Sequence, residues 1–331
     1  MTRCAVIGAG AWGTALADLL GRNGHDVKIW AYEWDVVEAI NRLHENRRFL
    51  RGSKIDSHVT ACADIAESLE GAELVTVVTP SQVMRSIIRA AKASFDSSVP
   101  IVVAAKGIEE GTLALMTEVV SSEVPGSTVV ALSGPSFATE VVNRQPTAVV
   151  VASSDQEAAK SAQDTFSSPY FRTYTHADVV GVEIGGALKN VMAVATGIAE
   201  GLGLGFNARA ALITRGLAEM TRLGTRLGAE ASTLSGLAGL GDLVLTCTGS
   251  LSRNRSVGEE VGRGSTLEQV LAGRETVAEG VVTTRSAHAL AKREDVEMPI
   301  VDAVYRVLFD NHPPRDAIGA LMSRELRSET D

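Results

Sequence analysis

The sequence has 331 residues, of which 45% are hydrophobic and 21% are charged, and its formal net charge is −9. This length favours two domains, and the globular composition argues against a disordered chain or a fibrous repeat. The acidic balance, with no basic tract, argues against nucleic acid as a partner.

No apolar run is long enough to span a membrane, because three glycines and Asp18 interrupt the opening segment 1–20, which also lacks a signal-peptide cleavage site. The chain has three widely spaced cysteines, Cys4, Cys62 and Cys247. Their number and spacing fit neither a disulfide framework nor a zinc site. We therefore expect a cytoplasmic protein with buried thiols and no bound metal.

Short apolar, β-branched runs alternate with amphipathic stretches in the first half of the chain, at 4–8, 27–30, 74–78, 101–105, 128–132 and 148–152. This pattern predicts an α/β Rossmann-type domain with a mostly parallel sheet covered on both faces. Beyond Asp178 such runs nearly vanish, and segment 208–227 has the apolar face of a helix. We place the boundary within 176–182, between an α/β domain (1–180) and an all-α domain (181–331) that share a ligand cleft.

The first predicted strand leads into the glycine-rich loop 8–13, GAGAWG, and then into a helical segment. Strand, GxGxxG loop and helix in this order are typical of a dinucleotide site, with the phosphates at the helix start. There Gly8 allows a tight turn, Gly10 a close approach by the pyrophosphate, and Gly13 helix packing. A purely structural glycine turn is the alternative.

Glu33 ends the second predicted strand, about 20 residues beyond Gly13. A carboxylate there accepts hydrogen bonds from the adenosine ribose and repels a 2′-phosphate, so the sequence predicts that NADH is used at least as well as NADPH. Capping of the following helix is the alternative role for Glu33. Because no Lys or Arg stands at 31–35, a basic partner for a 2′-phosphate would have to come from elsewhere.

A nicotinamide site also needs a group that exchanges a proton with the substrate. The chain lacks a Tyr-x-x-x-Lys pair, and its histidines mostly stand in surface or turn contexts. Lysine is therefore the remaining candidate for the proton-exchanging group. Lys189 stands in an apolar helical segment where burial would lower its pKa, unless its amine reaches solvent along a flexible stem. The small residues at 185–187 would let a substrate or cofactor approach the backbone.

Other candidates have structural alternatives of similar weight. Lys106 follows an apolar run, at a strand end that faces either a ligand or solvent. Segment 133–138 follows the next run, and Pro135 fits the first position of a helix whose amides could bind a phosphate. Asp242 could cap a helix, orient Lys189 or bind a substrate hydroxyl. At 252–254, a hydroxyl, a guanidinium and an amide could converge on a phosphate at another helix start.

Long ungapped blocks resemble the bacterial-type NAD(P)-dependent glycerol-3-phosphate dehydrogenases, at 6–17, 104–113, 132–141, 147–153, 167–220, 236–255, 277–285 and 297–308. The resemblance implies reversible reduction of dihydroxyacetone phosphate to sn-glycerol 3-phosphate, the precursor of the phospholipid backbone. It implies that Lys189 exchanges the proton, with Asp242 orienting it and Lys106 adding positive charge.

The resemblance also implies substrate contacts from Lys106, Gly134, Ser136, Lys189, Asp242, Ser252, Arg253 and Asn254. It implies cofactor contacts from Gly8, Gly10, Ala11, Trp12, Gly13, Lys106, Ala138, Arg253, Val277 and Glu279. Tyr32 and Glu33, which follow the second predicted strand, are further expected cofactor contacts. Family members often carry His or Arg where this chain has Tyr32 and Glu33, which weakens the expectation of NADPH preference. A β-hydroxyacid or 6-phosphogluconate-type dehydrogenase and a non-enzymatic dinucleotide sensor are the rival functions, and a homodimer is the expected assembly.

Overall fold

The computed structural model describes residues 1–272, 278–326 and 328–329, so the expected cofactor contact Val277 lies outside the described residues. The strands in the described part are β1 (Arg3–Ile7), β2 (Asp26–Trp30), β3 (Glu45–Asn46), β4 (Leu50–Lys54), β5 (Val59–Cys62), β6 (Leu74–Val77), β7 (Ile101–Val103), β8 (Val129–Ser133), β9 (Thr147–Ala152) and β10 (Phe171–His176).

The α-helices of the strand-containing half are α1 (Ala11–Arg22), α2 (Trp34–Leu43), α3 (Ile65–Leu69), α4 (Met84–Ala90), α5 (Met116–Glu123), α6 (Ala138–Val142) and α7 (Gln156–Phe166). Those that follow are α8 (Val179–Gly201), α9 (Phe206–Arg226), α10 (Ala231–Leu234), α11 (Asp242–Thr248), α12 (Arg253–Gly262), α13 (Leu267–Ala272), α14 (Glu279–Arg293), α15 (Pro299–Phe309) and α16 (Pro314–Met322). A π-helical segment, Leu237–Gly241, precedes α11.

Eight strands form one sheet in the order β10-β9-β8-β7-β6-β1-β2-β5, and β3 and β4 form a separate hairpin. Neighbours in the large sheet are parallel except β8 and β9, which are antiparallel. All six apolar runs of the sequence are strands of this sheet. The predicted class, a mostly parallel Rossmann-type sheet followed by helices, is confirmed.

The strands that the sequence pattern missed are β5, β10 and the short hairpin pair. β5 and β10 form the two edges of the large sheet. In β10, Phe171 and Thr173 are buried whereas Arg172 and Tyr174 are exposed. An edge strand with one solvated face needs no continuous apolar run, so the pattern of apolar runs does not indicate it.

The helical half is built around α8, which is buried on all sides from Gly181 to Ala199. Among the described residues, α8 alone is long and apolar enough by itself to cross a membrane, and 89% of its apolar window is buried inside the fold. The bent pair Ala231–Thr248 and Arg253–Gly262 meets the same test only when taken together. The apolarity of α8 is therefore accounted for by its packing in the protein core.

Helix α8 packs against α12 with the two backbones in direct contact. A Cβ atom on Gly197 would lie 2.0 Å from the carbonyl oxygen of Arg255, and one on Gly258 would lie 2.1 Å from that of Val194. Glycine is therefore required on both helices, because any side chain would force them apart.

A small apolar cluster connects the sheet to the helical half, and it consists of Ala131, Val150, Ala152, Val182 and Ala238. The first three residues come from β8 and β9, while the last two come from α8 and the π-helical segment. The last strand, β10, ends at His176, and α8 begins at Val179. The two halves thus pack together at the carboxyl end of β8.

Candidate active site

A cluster of three charged side chains lies where the sheet meets the helical half. Lys189 Nζ is 3.0 Å from Asp242 Oδ1, and Lys106 Nζ is 2.7 Å from Asp242 Oδ2. The side chains of Lys189, Lys106 and Asp242 are 10%, 15% and 2% exposed. Both solvent-facing alternatives for the lysines are wrong, because one buried carboxylate binds the two ammonium groups.

Asp242 enters the cluster as the first residue of α11. The capping alternative is wrong, because Gly241 holds the N-cap position and the oxygens of Asp242 bind the two lysines. The π-helical segment before α11 packs tightly on α8, where a Cβ on Gly185 would lie 2.5 Å from the carbonyl oxygen of Ala238. This close packing brings the start of α11 next to Lys189.

The glycines of α8 make room for other parts of the protein rather than for a ligand. A Cβ on Gly186 would lie 2.6 Å from Ser133 Oγ and 3.5 Å from Cδ of Lys106. The expectation that residues 185–187 admit a substrate or cofactor to the backbone is therefore wrong. The missing side chain instead lets the stem of Lys106 cross α8 on its way to Asp242.

Burial and charge act in opposite directions on the titration of the cluster. Burial lowers the pKa of Lys189 to about 8, although the nearby Asp242 carboxylate raises it. Burial alone would raise the pKa of Asp242, but the two ammonium groups outweigh this effect and hold the pKa of the carboxyl below its usual range. Lys189 can therefore gain or lose a proton near neutral pH while Asp242 stays ionised.

Thr246 is a further member of the cluster that the sequence analysis missed. Lys189 Nζ donates to Thr246 Oγ1 at 2.8 Å, and that hydroxyl donates to the backbone oxygen of Asp242 at 2.7 Å. Thr246 lies one helical turn beyond Asp242, so the i, i+4 spacing on a predicted helix was the available signal. The hydroxyl fixes the direction in which the Lys189 amine points.

Lys106 follows β7 and also binds the turn after β8. Its Nζ donates to the backbone oxygen of Gly134 at 2.9 Å, and Ser136 Oγ donates to the same oxygen at 3.0 Å. Gly134 has φ of +144°, and a Cβ there would lie 2.9 Å from Cα of Val149. The prediction that Pro135 begins a helix is wrong, because Gly134 and Pro135 lie in a bend and α6 begins only at Ala138.

Residues 252–254 open α12, as the sequence predicted. Ser252 Oγ accepts from the Arg255 backbone N–H at 3.2 Å, so this hydroxyl caps the helix. Asn254 Nδ2 donates to Oδ1 of Asn190, the neighbour of Lys189, at 2.8 Å, and Asn254 Oδ1 accepts from the Gly280 N–H at 2.9 Å. Asn190 thus connects the start of α12 to the lysine-bearing helix, while Arg253 is exposed.

Glu279 and Ala138 are each the first residue of a helix that starts near the carboxyl ends of the strands. Ser81, which follows β6, donates from its hydroxyl to Glu279 Oε2 at 2.6 Å and from its N–H to Oε1 at 3.3 Å. Burial raises the pKa of Glu279, although the Ser81 hydrogen bonds lower it. Ala138 is half-buried at the start of α6, which packs on α1.

The loop after β1 has the geometry that the glycine pattern predicts. Gly8 has φ of +117°, and a Cβ on Gly13 would lie 1.9 Å from the Gly8 carbonyl oxygen. A Cβ on Gly10 would meet nothing within 4 Å, so the space above the loop is open. Ala11 begins α1, and in the described part of the chain the buried Nε1 of Trp12 has no hydrogen-bond partner.

Tyr32 and Glu33 follow β2 on the other side of the loop. Tyr32 is 84% exposed, and Glu33 occupies the N-cap position of α2 without a side-chain hydrogen bond to the helix. Glu33 therefore holds the capping position that the alternative expected, where a negative charge suits the start of a helix, but its carboxylate forms no capping hydrogen bond. It remains able to accept hydrogen bonds from a bound molecule.

These groups lie together at the carboxyl ends of β1, β6, β7 and β8, because neighbouring parallel strands end on the same side of the sheet. The glycine loop follows β1, Ser81 follows β6, Lys106 follows β7 and Gly134 follows β8. The site therefore combines an open anion-binding loop with a buried amine that changes protonation near neutral pH.

Two family models match the chain. The one described as NAD-dependent glycerol-3-phosphate dehydrogenase N-terminus matches residues 3–159, and the corresponding C-terminus model matches residues 178–319. The curated glycerol-3-phosphate dehydrogenase [NAD(P)+] of Syntrophotalea carbinolica is 52% identical over 329 residues, covering 98% of this chain and 99% of the relative. That of Myxococcus xanthus is 51% identical and covers 99% of this chain and 98% of the relative.

A solved structure has the same fold throughout. The crystal structure of glycerol-3-phosphate dehydrogenase from Coxiella burnetii superposes with a TM-score of 0.94 at 41% sequence identity. The match covers 98% of this chain and 99% of that chain. The similarity therefore extends across both the sheet-containing and the helical half.

Proposed function

The chain belongs to the NAD-dependent glycerol-3-phosphate dehydrogenase family, and we propose that Lys189, Asp242 and Lys106 form its catalytic centre. It is an NAD(P)-dependent oxidoreductase that interconverts dihydroxyacetone phosphate and sn-glycerol 3-phosphate. The observation that carries the proposed centre is the buried Lys189 amine, held 3.0 Å from an ionised carboxylate at the sheet edge. We propose that its product supplies the glycerophospholipid backbone.

The glycine loop fits a dinucleotide. The free space above Gly10 and the amides at the start of α1 suit a pyrophosphate, while Gly8 and Gly13 leave no room for a side chain that would displace the loop. A dinucleotide held there would supply the hydride to the substrate C2 in reduction and accept it in oxidation. The proposed dinucleotide contacts come from Gly8, Gly10, Ala11, Trp12, Gly13, Tyr32, Glu33, Lys106, Ala138, Arg253 and Glu279.

Lys189 holds the proton that the reaction consumes. In the direction of reduction, its ammonium donates a proton to the C2 oxygen as negative charge develops there, and in oxidation the neutral amine accepts it. The pKa of about 8 leaves both forms accessible near neutral pH. Thr246 and Asp242 each accept one hydrogen bond from the ammonium and so leave its third N–H for the substrate.

Asp242 and Lys106 set the charge around that proton. The carboxylate keeps Lys189 protonated often enough to act as a donor, because without it burial would lower the pKa of the amine further. Lys106, fixed by Asp242 and by the Gly134 carbonyl, presents a second positive charge beside the developing alkoxide. The balance of two cations and one anion makes the centre attractive to an anionic substrate.

The substrate phosphate is assigned to the start of α12. The guanidinium of Arg253 and the N-terminal amides of the helix favour a phosphate, with Ser252 and Asn254 shaping the same turn. The link from Asn254 to Asn190 holds this turn at a set position relative to Lys189. Gly134 and Ser136 complete the proposed substrate contacts next to Lys106.

The wider organisation of the protein is also part of the proposal. We assign dinucleotide binding to a domain over 1–180 and substrate binding to a helical domain over 181–331.

Three buried free cysteines, with pKa values that burial raises to about 12 for Cys4 and Cys247, suit a reducing cytoplasm. A homodimer is the proposed assembly because twofold pairs are the commonest oligomers, and light scattering tests it by mass.

A spectrophotometric assay tests this function directly. Dihydroxyacetone phosphate is supplied with NADH and with NADPH in parallel, and β-hydroxyacids and 6-phosphogluconate are tested with the oxidised cofactors. We expect turnover with the triose phosphate, with kcat/KM for NADH at least equal to that for NADPH because of Glu33. Turnover confined to the hydroxyacids would contradict the function, and a strong NADPH preference would contradict the role of Glu33.

A further inference from the structure

The hairpin formed by β3 and β4 carries its turn to the edge of the glycine loop. Its buried anchor is Asn46, which is 0% exposed. Asn46 Nδ2 donates to the Ala9 carbonyl and to Thr14 Oγ1, each at 2.8 Å, and its Oδ1 accepts from the Phe49 N–H at 2.9 Å. One amide side chain thus ties the hairpin turn directly to the loop and to α1.

The same turn also reaches the start of α2. Arg48 Nη1 is 3.6 Å from Oδ1 of Asp35, which lies in the first turn of the helix that Glu33 precedes. The Arg48 guanidinium also lies over the Phe49 ring, 5.4 Å from its centroid. The turn that carries Arg48 is therefore tied both to the phosphate-binding loop and to the start of α2. Glu33, at the N-cap of α2, is the residue expected to meet the adenosine ribose, and a 2′-phosphate would project nearby.

The charges of the hairpin contrast with the acidic chain. Segment 45–54 contains four basic residues and one carboxylate, whereas the whole protein has a net charge of −9. Of these basic groups, Arg47 and Lys54 are bound to Glu45, both at 2.8 Å. Arg48 is 41% exposed and its partner Asp35 is 67% exposed, so their ion pair contributes little and is easily exchanged for a stronger anion.

On the premise of the proposed function, we infer that Arg48 is a cofactor-specificity residue that binds the 2′-phosphate of NADP. Its guanidinium leaves Asp35 and forms charge-assisted hydrogen bonds to the phosphate oxygens, which opposes the repulsion from Glu33. NADH needs no such contact. Arg48 thus gives the chain a basic partner for the 2′-phosphate although 31–35 contains none, and accounts for use of both cofactors.

Calorimetric titration with two nucleotides tests this role without turnover. Adenosine 2′,5′-bisphosphate carries the 2′-phosphate, and adenosine 5′-monophosphate is its match without it. We expect Arg48→Ala to weaken binding of the bisphosphate about tenfold more than binding of the monophosphate. A tenfold difference in affinity is the scale of one charged hydrogen bond. Arg48→Lys should keep part of the difference, and Asp35→Asn should tighten bisphosphate binding by releasing the guanidinium.

Arg47→Ala is the matched control, since it removes the same charge from the adjacent position of the turn. We expect it to change the ratio of the two affinities less than about twofold. The inference would be overturned if Arg48→Ala lost the same affinity for both nucleotides. It would also be overturned if Arg47→Ala changed the ratio of the two affinities as much as Arg48→Ala does. If the wild-type protein does not reduce dihydroxyacetone phosphate with NADH, the proposed function fails. A selective loss of bisphosphate binding in Arg48→Ala would then still show that Arg48 binds a 2′-phosphate.

Discussion

Replacing Asp242 with Asn should move the pH dependence of the reaction rather than abolish the reaction. Coulomb's law at the 3.0 Å separation of Lys189 Nζ and Asp242 Oδ1 gives about 5 kcal/mol for an effective dielectric constant of about 20. That energy corresponds to about 4 pKa units, and local rearrangement reduces it. Because loss of the anion disfavours the ammonium, we expect the pKa of Lys189 to fall by at least about 2 units, from about 8 to about 6.

The consequence for stability is smaller than the loss of a buried ion pair suggests. An uncompensated buried charge costs about 3 to 5 kcal/mol, but Lys189 can avoid that cost by releasing its proton. With a pKa of about 8, release of the Lys189 proton at pH 7 costs only on the order of 1 kcal/mol. The variant should therefore fold with a neutral Lys189, and its pH profile is more informative than its melting temperature.

The assay is kcat/KM for dihydroxyacetone phosphate with NADH, measured from pH 5 to pH 9.5. Reduction needs the ammonium form, so the wild-type rate should fall above about pH 8 and the Asp242→Asn rate above about pH 6 or lower. At pH 7 this shift lowers the rate about tenfold. Glycerol 3-phosphate oxidation needs the neutral amine, so its rate should rise with pH through the same values.

Glu183→Gln is the matched control, because Glu183 is another buried carboxyl on α8 and binds Thr117 rather than a lysine. Any titration of the substrate phosphate affects this control and the Asp242→Asn variant alike. The control should keep its alkaline limb at about pH 8. If Asp242→Asn keeps that limb too, Lys189 is not the group that titrates, and the assignment of the proton donor is refuted.

Four other substitutions test separate parts of the site. Lys189→Met should lower kcat by about 10² to 10⁴, the usual contribution of a positioned acid or base, while NADH binding measured by fluorescence stays within about twofold; equal losses in both would contradict a proton-transfer role. Arg253→Ala should raise KM for dihydroxyacetone phosphate about tenfold or more, and an unchanged KM would place the phosphate elsewhere. Gly13→Ala should lower the free energy of unfolding by about 1 to 3 kcal/mol in urea titrations, because its Cβ would lie 1.9 Å from a carbonyl oxygen. Gly10→Ala, whose Cβ meets open space, should fold normally and lose NADH affinity instead; the reverse pattern would show that the phosphates do not approach Gly10.

The sequence predicted those features that depend on local pattern. Buried parallel strands are continuous apolar runs, and the glycine loop has a fixed spacing, so both could be identified in advance. The burial of Lys189 could be predicted because the segment around it is apolar on nearly all sides of the helix, as only a helix inside the core is. These features are properties of one element, and the structure reproduces them.

Features that depend on two distant elements could not be predicted from the residues alone. Lys106 and Asp242 are 136 residues apart in the chain, and only the packing of the π-helical segment on α8 brings them together. The glycines at 185 and 186 were expected to face a ligand, whereas they admit the protein's own backbone and the Lys106 stem. Nothing in the pattern of Asn46 indicated that one amide would fasten a hairpin to the phosphate loop.

The glycine contact between α8 and α12 also bears on how this protein can change during evolution. At Gly197 and Gly258 even alanine would collide with a facing carbonyl, so neither position can drift independently, and a change in one helix cannot be accommodated by its neighbour. The hairpin turn, in contrast, presents exposed arginines that mutate without disturbing any core. Descendants of this sequence should therefore diversify at the nucleotide end long before they alter the scaffold beneath the amine.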